Sequence, residues 1–387
     1  MTGVFAVWII ELKRIFSLRP AFSVLILAII LYSIFYPQPY RNEALRDVPI
    51  VLVDLDGTES SRQFARRLDA SADVAIASVL PDEASAEREV FARNLYGILI
   101  IPHYFERDLL HGRASPIALY ADASYFLIYS RISGAVTALA KTVGAEVETG
   151  RLMAAHVDPA IAMAASDPMP LVAIPLFNPQ GGYATYILPA AFVLLLQQIL
   201  LIGVGLLGTY PNPELARLPA EGAGPGSRVV GKLLAYLTLQ LAVFGFYLIV
   251  LPYLYGIPRL GSVGSVAVVS LPFIVAVASL AMVIAKLFRS PVVVQLVAAA
   301  IGMPFLFLAG FSWPTEAIPE PIRSAALVIP STSAINALVN VGQLGATLSD
   351  VRSQTLTLGG LAVGYLLLAI LLEALPGRKR RTPHVTA

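Results

Sequence analysis

Residues 184–208 read ATYILPAAFVLLLQQILLIGVGLLG, a run without a single Asp, Glu, Lys or Arg. A helix needs about 20 consecutive apolar residues to cross the roughly 30 Å hydrocarbon core of a bilayer. The other stretches of similar character are Pro20–Tyr36, Leu233–Tyr255, Val263–Ala285, Pro291–Phe311 and Thr355–Leu372. None of the six carries a charge, so the sequence predicts an α-helical membrane protein with six transmembrane helices.

The charged residues are distributed unevenly along the chain. The 387 residues are 57% hydrophobic and 13% charged, about half the charged share of an ordinary soluble domain. Residues 38–183 carry 18 acidic and 12 basic side chains, whereas the rest carries 7 acidic and 15 basic ones. The contrast predicts a folded domain inserted into a membrane protein. The predicted segments are an interfacial helix with the first span (1–37), an extracytoplasmic α/β domain (38–183), five further spans (184–375) and a basic cytoplasmic tail (376–387).

Composition excludes several classes of function. The net charge is +2, too small to hold a nucleic acid through its phosphates. The absence of cysteine from the sequence excludes a disulfide scaffold, thiol catalysis and cysteine-ligated zinc. The histidines, His103, His111, His156 and His384, lack the spacing of a metal site, so no bound metal is expected.

Lysine and arginine predict the direction of the spans, because short cytoplasmic loops of membrane proteins are enriched in these residues. With the N-terminus in the cytoplasm, twelve of them lie in the inner segments, whereas the short outer loops carry Arg259, Arg323 and Arg352. Both termini are therefore predicted to be cytoplasmic, and residues 38–183 are predicted to lie outside.

The inserted segment alternates short apolar runs with helical patterns, which is typical of an α/β unit. The predicted strands are Pro49–Val53, Val74–Val79, Leu95–Ile101 and Pro116–Tyr120. The predicted helices are Ser60–Leu68, Glu83–Arg93, Tyr104–Leu110 and a longer one, Leu127–Ala155. The proline-rich residues 156–183 are expected to return to the membrane in an extended conformation.

One motif in the insert is similar to a catalytic site. Asp54-Leu55-Asp56-Gly57-Thr58 follows a predicted strand, as does the nucleophile motif of haloacid dehalogenase-type phosphatases, in which two aspartates sit near magnesium. Those enzymes also need a later catalytic lysine and a distal acidic pair, and Lys141 is the sole lysine of the insert. The alternative is a strand-to-helix turn at Gly57, with Thr58 or Ser60 as the helix cap.

A second motif is similar to a nucleotide-binding loop. Gly226–Lys232 matches the phosphate-binding loop up to its last position, where Leu233 replaces the required Ser or Thr. No strand is predicted before it and a membrane span follows it. Lys232 is therefore interpreted as an interfacial positive charge, and no cofactor is expected to bind to this chain.

Polar and small residues in the spans are candidates for a translocation path or for helix packing, since such residues line routes or let helices approach closely. These candidates are Gln197, Gln198, Gln240, Gln295, Gly360 and Gly364. The predicted spans carry no charged side chain for a proton or sodium relay. The energy for any transport is therefore expected to come from another protein.

Three groups of residues resemble the permease subunit of type-two ABC exporters. The first group is Val51–Leu68, Tyr96–Pro102 and Phe105–Leu109 in the insert. The second is Phe177-Asn178-Pro179, followed by Tyr186 and Pro189. The third and most specific is Phe307–Pro314, Ile318-Pro319 and Ile329–Thr332. The resemblance covers almost the whole chain and implies an interfacial helix, one span, a large extracytoplasmic insert and five more spans.

The resemblance implies a transport subunit of a bacterial inner membrane rather than an enzyme. In that family a separate ATPase dimer, which holds ATP and magnesium, drives two permease subunits by alternating access. The implied partners are the ATPase dimer, a second copy or a similar subunit, and membrane lipid. A periplasmic adaptor is left open, and no nucleic acid is expected. An apolar path without fixed charge favours a lipid-like or amphipathic drug-like substrate.

The resemblance also implies where the ATPase would act, namely on a helix over residues 4–18 and on the loop over residues 209–228. Residues 4–18 have the apolar face and the charged face of an amphipathic interfacial helix. The candidate coupling residues are Glu11, Lys13, Arg14, Thr209, Glu214 and Arg217. Relatives often carry an E-x-G-T-x-E helix in this loop, whereas Pro211, Pro213 and Pro219 are expected to prevent one here.

Two other functions fit parts of the sequence. A non-transporting membrane scaffold, similar to phage-receptor-like proteins, has a comparable arrangement of spans and needs no ATPase. A membrane-tethered phosphatase would use Asp54 as its nucleophile.

Overall fold

The computed structural model describes residues 3–42, 44–179, 181–218, 224–310 and 313–375, with side chains at all of these except 303–306. The predicted basic tail lies outside the described residues, and so do Pro219 of the 209–228 loop and Phe311 of the third resemblance motif. The chain forms two compact units. One comprises residues 44–174, and the other residues 1–43 with 175–387.

Two helices open the chain. Helix α1 is Gly3–Ser17 and helix α2 is Arg19–Tyr40. The buried residues of α1 are Val7, Glu11 and Ile15, which lie on one face because they are four positions apart. Helix α2 contains the predicted first span.

The 44–174 unit is a four-stranded sheet with helices. Its strands are β1 (Val48–Asp54), β2 (Val74–Val79), β3 (Gly97–Ile101) and β4 (Ala118–Ala121), in the order β2-β1-β3-β4. Strand β1 pairs in parallel with β2 and β3, and β4 pairs antiparallel with β3. The helices are α3 (Glu59–Asp69), α4 (Glu83–Phe91), α5 (Phe105–Leu110), α6 (Phe126–Ala154) and α7 (Pro159–Ser166). The small sheet is consistent with an inserted domain.

Strand β1 is buried on both faces, as its continuous apolar run predicts for a central parallel strand. Ile50 shares a buried cluster with Phe64 of α3 and Ile132 of α6. Its neighbour Val51 belongs to a separate cluster with Ala86 of α4. Alternating side chains of one strand therefore hold helices on opposite faces of the sheet.

One stretch of this unit differs from the sequence prediction. Residues 156–183 were expected to be extended, but α7 is helical. Asp158 Oδ1 accepts a hydrogen bond from the Ala160 N–H at 2.9 Å and caps the helix. Pro159 takes the first helical position, where its missing N–H costs no hydrogen bond.

The second unit is almost entirely helical. Its elements after the insert are α8 (Tyr183–Thr209), α9 (Pro213–Ala216), α10 (Pro225–Leu254), α11 (Val263–Phe288), α12 (Pro291–Leu308), α13 (Glu320–Ala326), α14 (Pro330–Gly342) and α15 (Arg352–Ala374). Within the described residues, five helices are long and apolar enough to cross a membrane, namely α2, α8, α10, α11 and α15. The predicted helical membrane fold is confirmed, with five or six candidate spans.

The sixth candidate span is a bent pair of helices that the sequence did not predict. Helices α13 and α14 meet at 86° and together are apolar enough to be one broken span or a re-entrant loop. The bend falls just before Pro330, which disfavours helical backbone at the residue in front of it. The predicted fifth span corresponds to α12, whose described apolar part, Pro291–Gly302, is shorter than the others.

Helix α8 lies at the centre of the membrane unit, and glycines set how closely its neighbours approach. A Cβ on Gly203 would collide with Leu25 of α2, and one on Gly205 would collide with Val294 of α12. Small residues allow such close contact between helices in a membrane, where van der Waals packing replaces the hydrophobic effect.

Candidate functional site

Helix α1 packs directly against the first half of α10. A Cβ on Gly231 would lie 2.6 Å from Val7 Cβ and 2.7 Å from the carbonyl oxygen of Val4, so this position has no room for a side chain. On the same helix pair, Trp8 Nε1 donates a hydrogen bond to Thr238 Oγ1 at 3.1 Å. Helix α1 is therefore held to α10 by close packing.

The carboxylate of Glu11 is the centre of a buried polar cluster. Glu11 is 1% exposed. Its Oε1 accepts a hydrogen bond from the Tyr236 hydroxyl at 2.7 Å, and its Oε2 accepts from Asn212 Nδ2 at 3.2 Å and Arg14 Nη1 at 3.5 Å. A buried carboxylate is costly unless donors surround it. These donors come from α10, from the residue before α9 and from α1, so one side chain joins three segments.

Arg14 ties the same helix to the end of α8. Its Nη2 donates to the carbonyl oxygens of Tyr210 at 2.6 Å and Pro211 at 3.3 Å. Charge-assisted hydrogen bonds of this kind are stronger than neutral ones. The term Glu11 cluster below means Glu11, Arg14, Tyr210, Asn212 and Tyr236.

The loop between α8 and α10 contains a short helix despite its prolines. Asn212 Oδ1 accepts a hydrogen bond from the Leu215 N–H at 3.1 Å and caps α9, and Pro213 is the first helical residue. Both features start helices rather than break them. The expectation that the prolines prevent a helix here is therefore wrong for 213–216.

An open groove of about 220 Å³ separates α1 from α9. Lys13 borders it from α1 and Glu214 borders it from α9. Both side chains are exposed, and Arg217 nearby is exposed as well. The groove thus offers charges of both signs on a backbone that the Glu11 cluster fixes, which suits recognition by a protein surface.

Two of the predicted coupling residues are buried. Glu11 lies in its cluster and contacts α10 and Asn212, and Thr209 is 8% exposed with its hydroxyl donating to the Leu206 carbonyl of the same helix at 2.9 Å. Their side chains therefore contact other residues of this chain. Arg14 likewise contacts this chain, because its Nη2 donates to the carbonyl oxygens of Tyr210 and Pro211.

Sequence reasoning missed three members of the cluster, of which Tyr210 takes part through its backbone carbonyl. The Asn-Pro pair at 212–213 is a recognisable helix start, so Asn212 could have been found as a cap. Tyr236 carried no such signal, because it lies 225 positions from Glu11 in an apolar helix.

Gln197 acts as a packing residue. Its Nε2 donates to Ser331 Oγ at 2.9 Å, and its Oε1 accepts from the Ser331 N–H at 2.8 Å. The first N–H groups of a helix have no partner within that helix, and Gln197 supplies one to α14. This two-way contact fixes the bend before α14 against the central helix α8.

A second, apolar groove of about 510 Å³ runs between α2, α8 and α12. Its polar groups are the side chains of Tyr32, Tyr36 and Gln198. Gln198 Nε2 donates to the Ala298 carbonyl at 2.6 Å, while its buried Oε1 has no hydrogen-bond partner in the described part of the chain. Mostly apolar walls with a few polar groups are typical of sites for lipid-like molecules.

The remaining candidates from the spans fall in different environments. Gln240 is 1% exposed, and neither of its side-chain polar atoms has a partner among the described residues. Gln295 is exposed on α12. A Cβ on Gly360 or Gly364 would meet no atom within 4 Å, so these two glycines do not bring helices together inside the chain.

The phosphatase-like motif of the insert forms a helix start. Asp54 accepts from the N–H groups of Asp56 and Gly57 at 3.1 and 3.0 Å, and from Ser61 Oγ at 2.7 Å. Asp56 Oδ2 accepts from Thr58 Oγ1 at 2.6 Å. Burial acts to raise the pKa of Asp56, but this bond and those from backbone N–H groups outweigh it and lower the pKa below its usual range. Both carboxylates are thus occupied by the turn, as in the alternative interpretation.

The motif at 226–232 that is similar to a phosphate-binding loop lies inside helix α10. A phosphate-binding loop cradles its ligand with backbone N–H groups that helical pairing would occupy. Gly231 serves the contact with α1 described above, and the motif has a packing explanation. Within the described residues, no three His, Asp or Glu side chains are grouped to hold a metal ion.

Comparison with known proteins agrees with this architecture. Residues 21–371 match the family described as ABC-2 family transporter protein. The linearmycin resistance permease protein LnrN of Bacillus subtilis (strain 168) is 22% identical over 371 residues, covering 91% of this chain and 94% of that protein. Because the family match spans most of the sequence, the chain belongs to the ABC-2 family of transporter proteins and is a membrane subunit of an ABC transporter.

Proposed function

We propose that this ABC-2 permease exports a lipid-like or amphipathic molecule, and that ATP hydrolysis on a separate ATPase dimer drives it. The observation that carries the proposal is the Glu11 cluster, which joins the interfacial helix α1 to α8 and α10 beside an open, charged groove. A subunit moved by another protein needs such a joint between its docking surface and its membrane helices.

The ATPase docks on the groove between α1 and α9, where Lys13, Glu214 and Arg217 are exposed. Its motion reaches α10 through the contact at Gly231, and reaches α8 through Arg14. Rigid, packed elements transmit displacement because a close-packed interior deforms little. Alternating access then follows from tilting α8 and α10 together.

The lateral groove between α2, α8 and α12 supports a lipid-like substrate. Its walls are apolar, and it is open on one side. A second copy or a similar subunit placed against that side would enclose a chamber at the centre of a dimer. Gln240 of α10 is buried without a partner in the described chain. A movement of α10 during transport would let its amide form a hydrogen bond.

The name of the relative LnrN is consistent with export, since that protein is a resistance permease. A plasma-membrane location follows from the family resemblance, and the distribution of lysine and arginine supports cytoplasmic termini. In that orientation the α1–α9 groove faces the cytoplasm, where ATP is available, and residues 44–174 lie outside. Handing the substrate to a periplasmic adaptor would be a role for that outer unit.

The proposal is tested by co-expressing the chain with a candidate ABC ATPase from the same organism and purifying the complex. In proteoliposomes, a fluorescent amphiphile should stimulate ATP hydrolysis and move outward when ATP is supplied. Glu11→Ala should abolish both effects, whereas Arg352→Gln, an exposed change at the opposite end of the bundle, should leave them intact. A chain that binds no ATPase and moves no amphiphile would instead support the scaffold alternative.

A further inference from the structure

A small cavity lies at the end of the bundle opposite the Glu11 cluster. Its lining includes Pro189 and Phe192 of α8, Gln343 after α14, and Ile257 and Arg259 of the loop between α10 and α11. Its volume is about 30 Å³, comparable with the volume that one water molecule takes up in the liquid. The cavity therefore admits one small polar group rather than a whole ligand.

The loop that carries Arg259 is fixed by its backbone. The Leu260 N–H donates to the Gln343 carbonyl at 3.2 Å, and the Gly261 N–H donates to the Gly342 carbonyl at 3.2 Å. A Cβ on Gly261 would collide with the Val341 carbonyl. The backbone next to Arg259 is thus held in place by the residues that follow it.

A proline in α8 fixes the opposite wall. Pro189 has no N–H, so the helix leaves the carbonyl of Thr185 without its usual donor. Gln343 Nε2 supplies the missing donor at 2.8 Å. The Nε2 of Gln343 is therefore used by the backbone of α8, while Nε and Nη2 of Arg259 donate to no acceptor among the described residues.

Arg259 has no hydrogen-bond partner for two of its nitrogens. Nε and Nη2 are buried and unpaired within the described residues, and burial lowers the pKa of its guanidinium. The described residues that line the cavity include no Asp or Glu. Burying a guanidinium edge without an acceptor is costly, and this same edge is the one that binds a carboxylate or a phosphate through two parallel hydrogen bonds.

The surface beside the cavity is apolar and open. Tyr253 is 84% exposed, Leu254 65% and Leu260 66%. A hydrocarbon tail attached to a group bound at Arg259 would therefore lie on an apolar surface.

We propose that Arg259 binds the anionic headgroup of a single-tailed or lipid-like amphiphile, a carboxylate or a phosphate, at the outer end of the bundle. This assignment rests on the proposed export for its meaning, because it makes the exported molecule an anionic amphiphile. The binding itself requires no transport, so the two proposals fail separately.

The test uses the full-length chain purified in a neutral maltoside detergent. Calorimetry measures the binding of dodecanoate, dodecyl phosphate and uncharged dodecanol at pH 7.5. Both anions should bind at least tenfold more tightly than dodecanol. Arg259→Gln should remove that preference, whereas the matched control Arg352→Gln, an exposed arginine at the same end, should retain it. Equal binding of all three compounds, or an unchanged preference in Arg259→Gln, would overturn the assignment.

Two further measurements complete the test. Inorganic phosphate alone should bind at least tenfold more weakly than dodecyl phosphate, and equal affinity would show a site for a free ion, contrary to the proposal. If Arg259→Gln does not fold, labelling of the wild-type chain with phenylglyoxal replaces it. Dodecanoate should slow the modification of Arg259 several-fold and dodecanol should not, and equal rates would overturn the proposal.

Discussion

The two ends of the helix bundle differ in whether a buried charged group has hydrogen-bond partners. At one end, Glu11 is 1% exposed and receives hydrogen bonds from Tyr236, Asn212 and Arg14. At the other end, Nε and Nη2 of Arg259 are buried with no partner in the described chain. A charge whose partners all come from the protein stabilises an arrangement of helices, whereas a charge that lacks them leaves donors free for a ligand. In the two proposals above, the first end is a joint and the second a binding site.

The largest effect on stability is expected from removing the carboxylate of Glu11. Glu11→Ala leaves the buried Tyr236 hydroxyl and the part-buried donors of Asn212 and Arg14 without this acceptor, so the free energy of unfolding should fall by about 3–5 kcal/mol. Thermal unfolding of the detergent-purified chain measures the loss. The matched change Glu214→Ala, on an exposed side chain of the same end, should cost less than about 0.5 kcal/mol. Similar losses for both variants would contradict a joint centred on Glu11.

A side chain placed between α1 and α10 should push the two helices apart without changing the polar groups of the Glu11 cluster. Gly231→Val puts methyl groups where Val7 and the Val4 carbonyl already lie, and should destabilise the protein by about 1–3 kcal/mol. Gly245→Ala is the control in the same helix, since a Cβ there meets no atom within 4 Å. It should be neutral or stabilising by up to about 1 kcal/mol. Chemical denaturation followed by tryptophan fluorescence compares the two.

Two buried glutamines of the bundle differ in whether their side-chain amides are hydrogen-bonded. Gln240→Leu removes a buried amide with no partner in the described chain, and should raise the free energy of unfolding by about 1–2 kcal/mol. Gln197→Leu removes both hydrogen bonds to Ser331 and should lower it by a similar amount. Equal signs for the two substitutions would show that hydrogen bonding does not separate these residues.

The smallest effect is expected from an exposed ion pair of the insert, which serves as the reference for a buried charge. Arg67 donates to both oxygens of Glu146 at 2.5 and 2.9 Å and thereby lowers the pKa of that carboxyl. The contribution is therefore present above the unfolded pKa of about 4.3 and is lost as the pH falls through the lower folded value. Glu146→Gln should cost less than about 1 kcal/mol at pH 7.

Hydrogen exchange of α6 in the full-length chain measures this cost. The difference between Glu146→Gln and the wild type should shrink as the pH falls through the folded pKa of Glu146, and should vanish once the wild-type carboxyl is neutral. Glu87→Gln, an exposed side chain of α4, is the control and should show little difference at neutral or low pH. A difference that persists at low pH would mean that packing, not charge, is affected.

The fold followed from sequence wherever one physical property dominated a whole segment. The uncharged run of α8 marks a span, and the apolar run of β1 marks a central strand, because burial alone requires such patterns. The bend before Pro330 escaped prediction, since Ser331, Thr332 and Ser333 interrupt the apolar signal. The partner of Ser331 is Gln197, which lies 134 positions away in sequence.

The candidate site was predictable in its location but not in its roles. The amphipathic pattern placed α1 at an interface, and the resemblance pointed to the loop after α8. Whether a charged residue in these segments faces outward or inward depends on tertiary partners. Glu11 and Lys13 are two positions apart and carry opposite charges, yet the first is buried and the second exposed. Arg259 was counted as a marker of topology, because its lack of a partner is visible only in three dimensions.

The central claim is that the groove beside the Glu11 cluster receives the ATPase. Since the chain has no cysteine, single cysteines carrying a photoreactive crosslinker can be placed at Lys13 and Glu214, with Arg352 at the opposite end as the control. In cells that also produce the candidate ABC ATPase, crosslinks are predicted from the two groove positions and not from Arg352, and Glu11→Ala should remove them. Crosslinking from Arg352 but not from the groove would contradict the account.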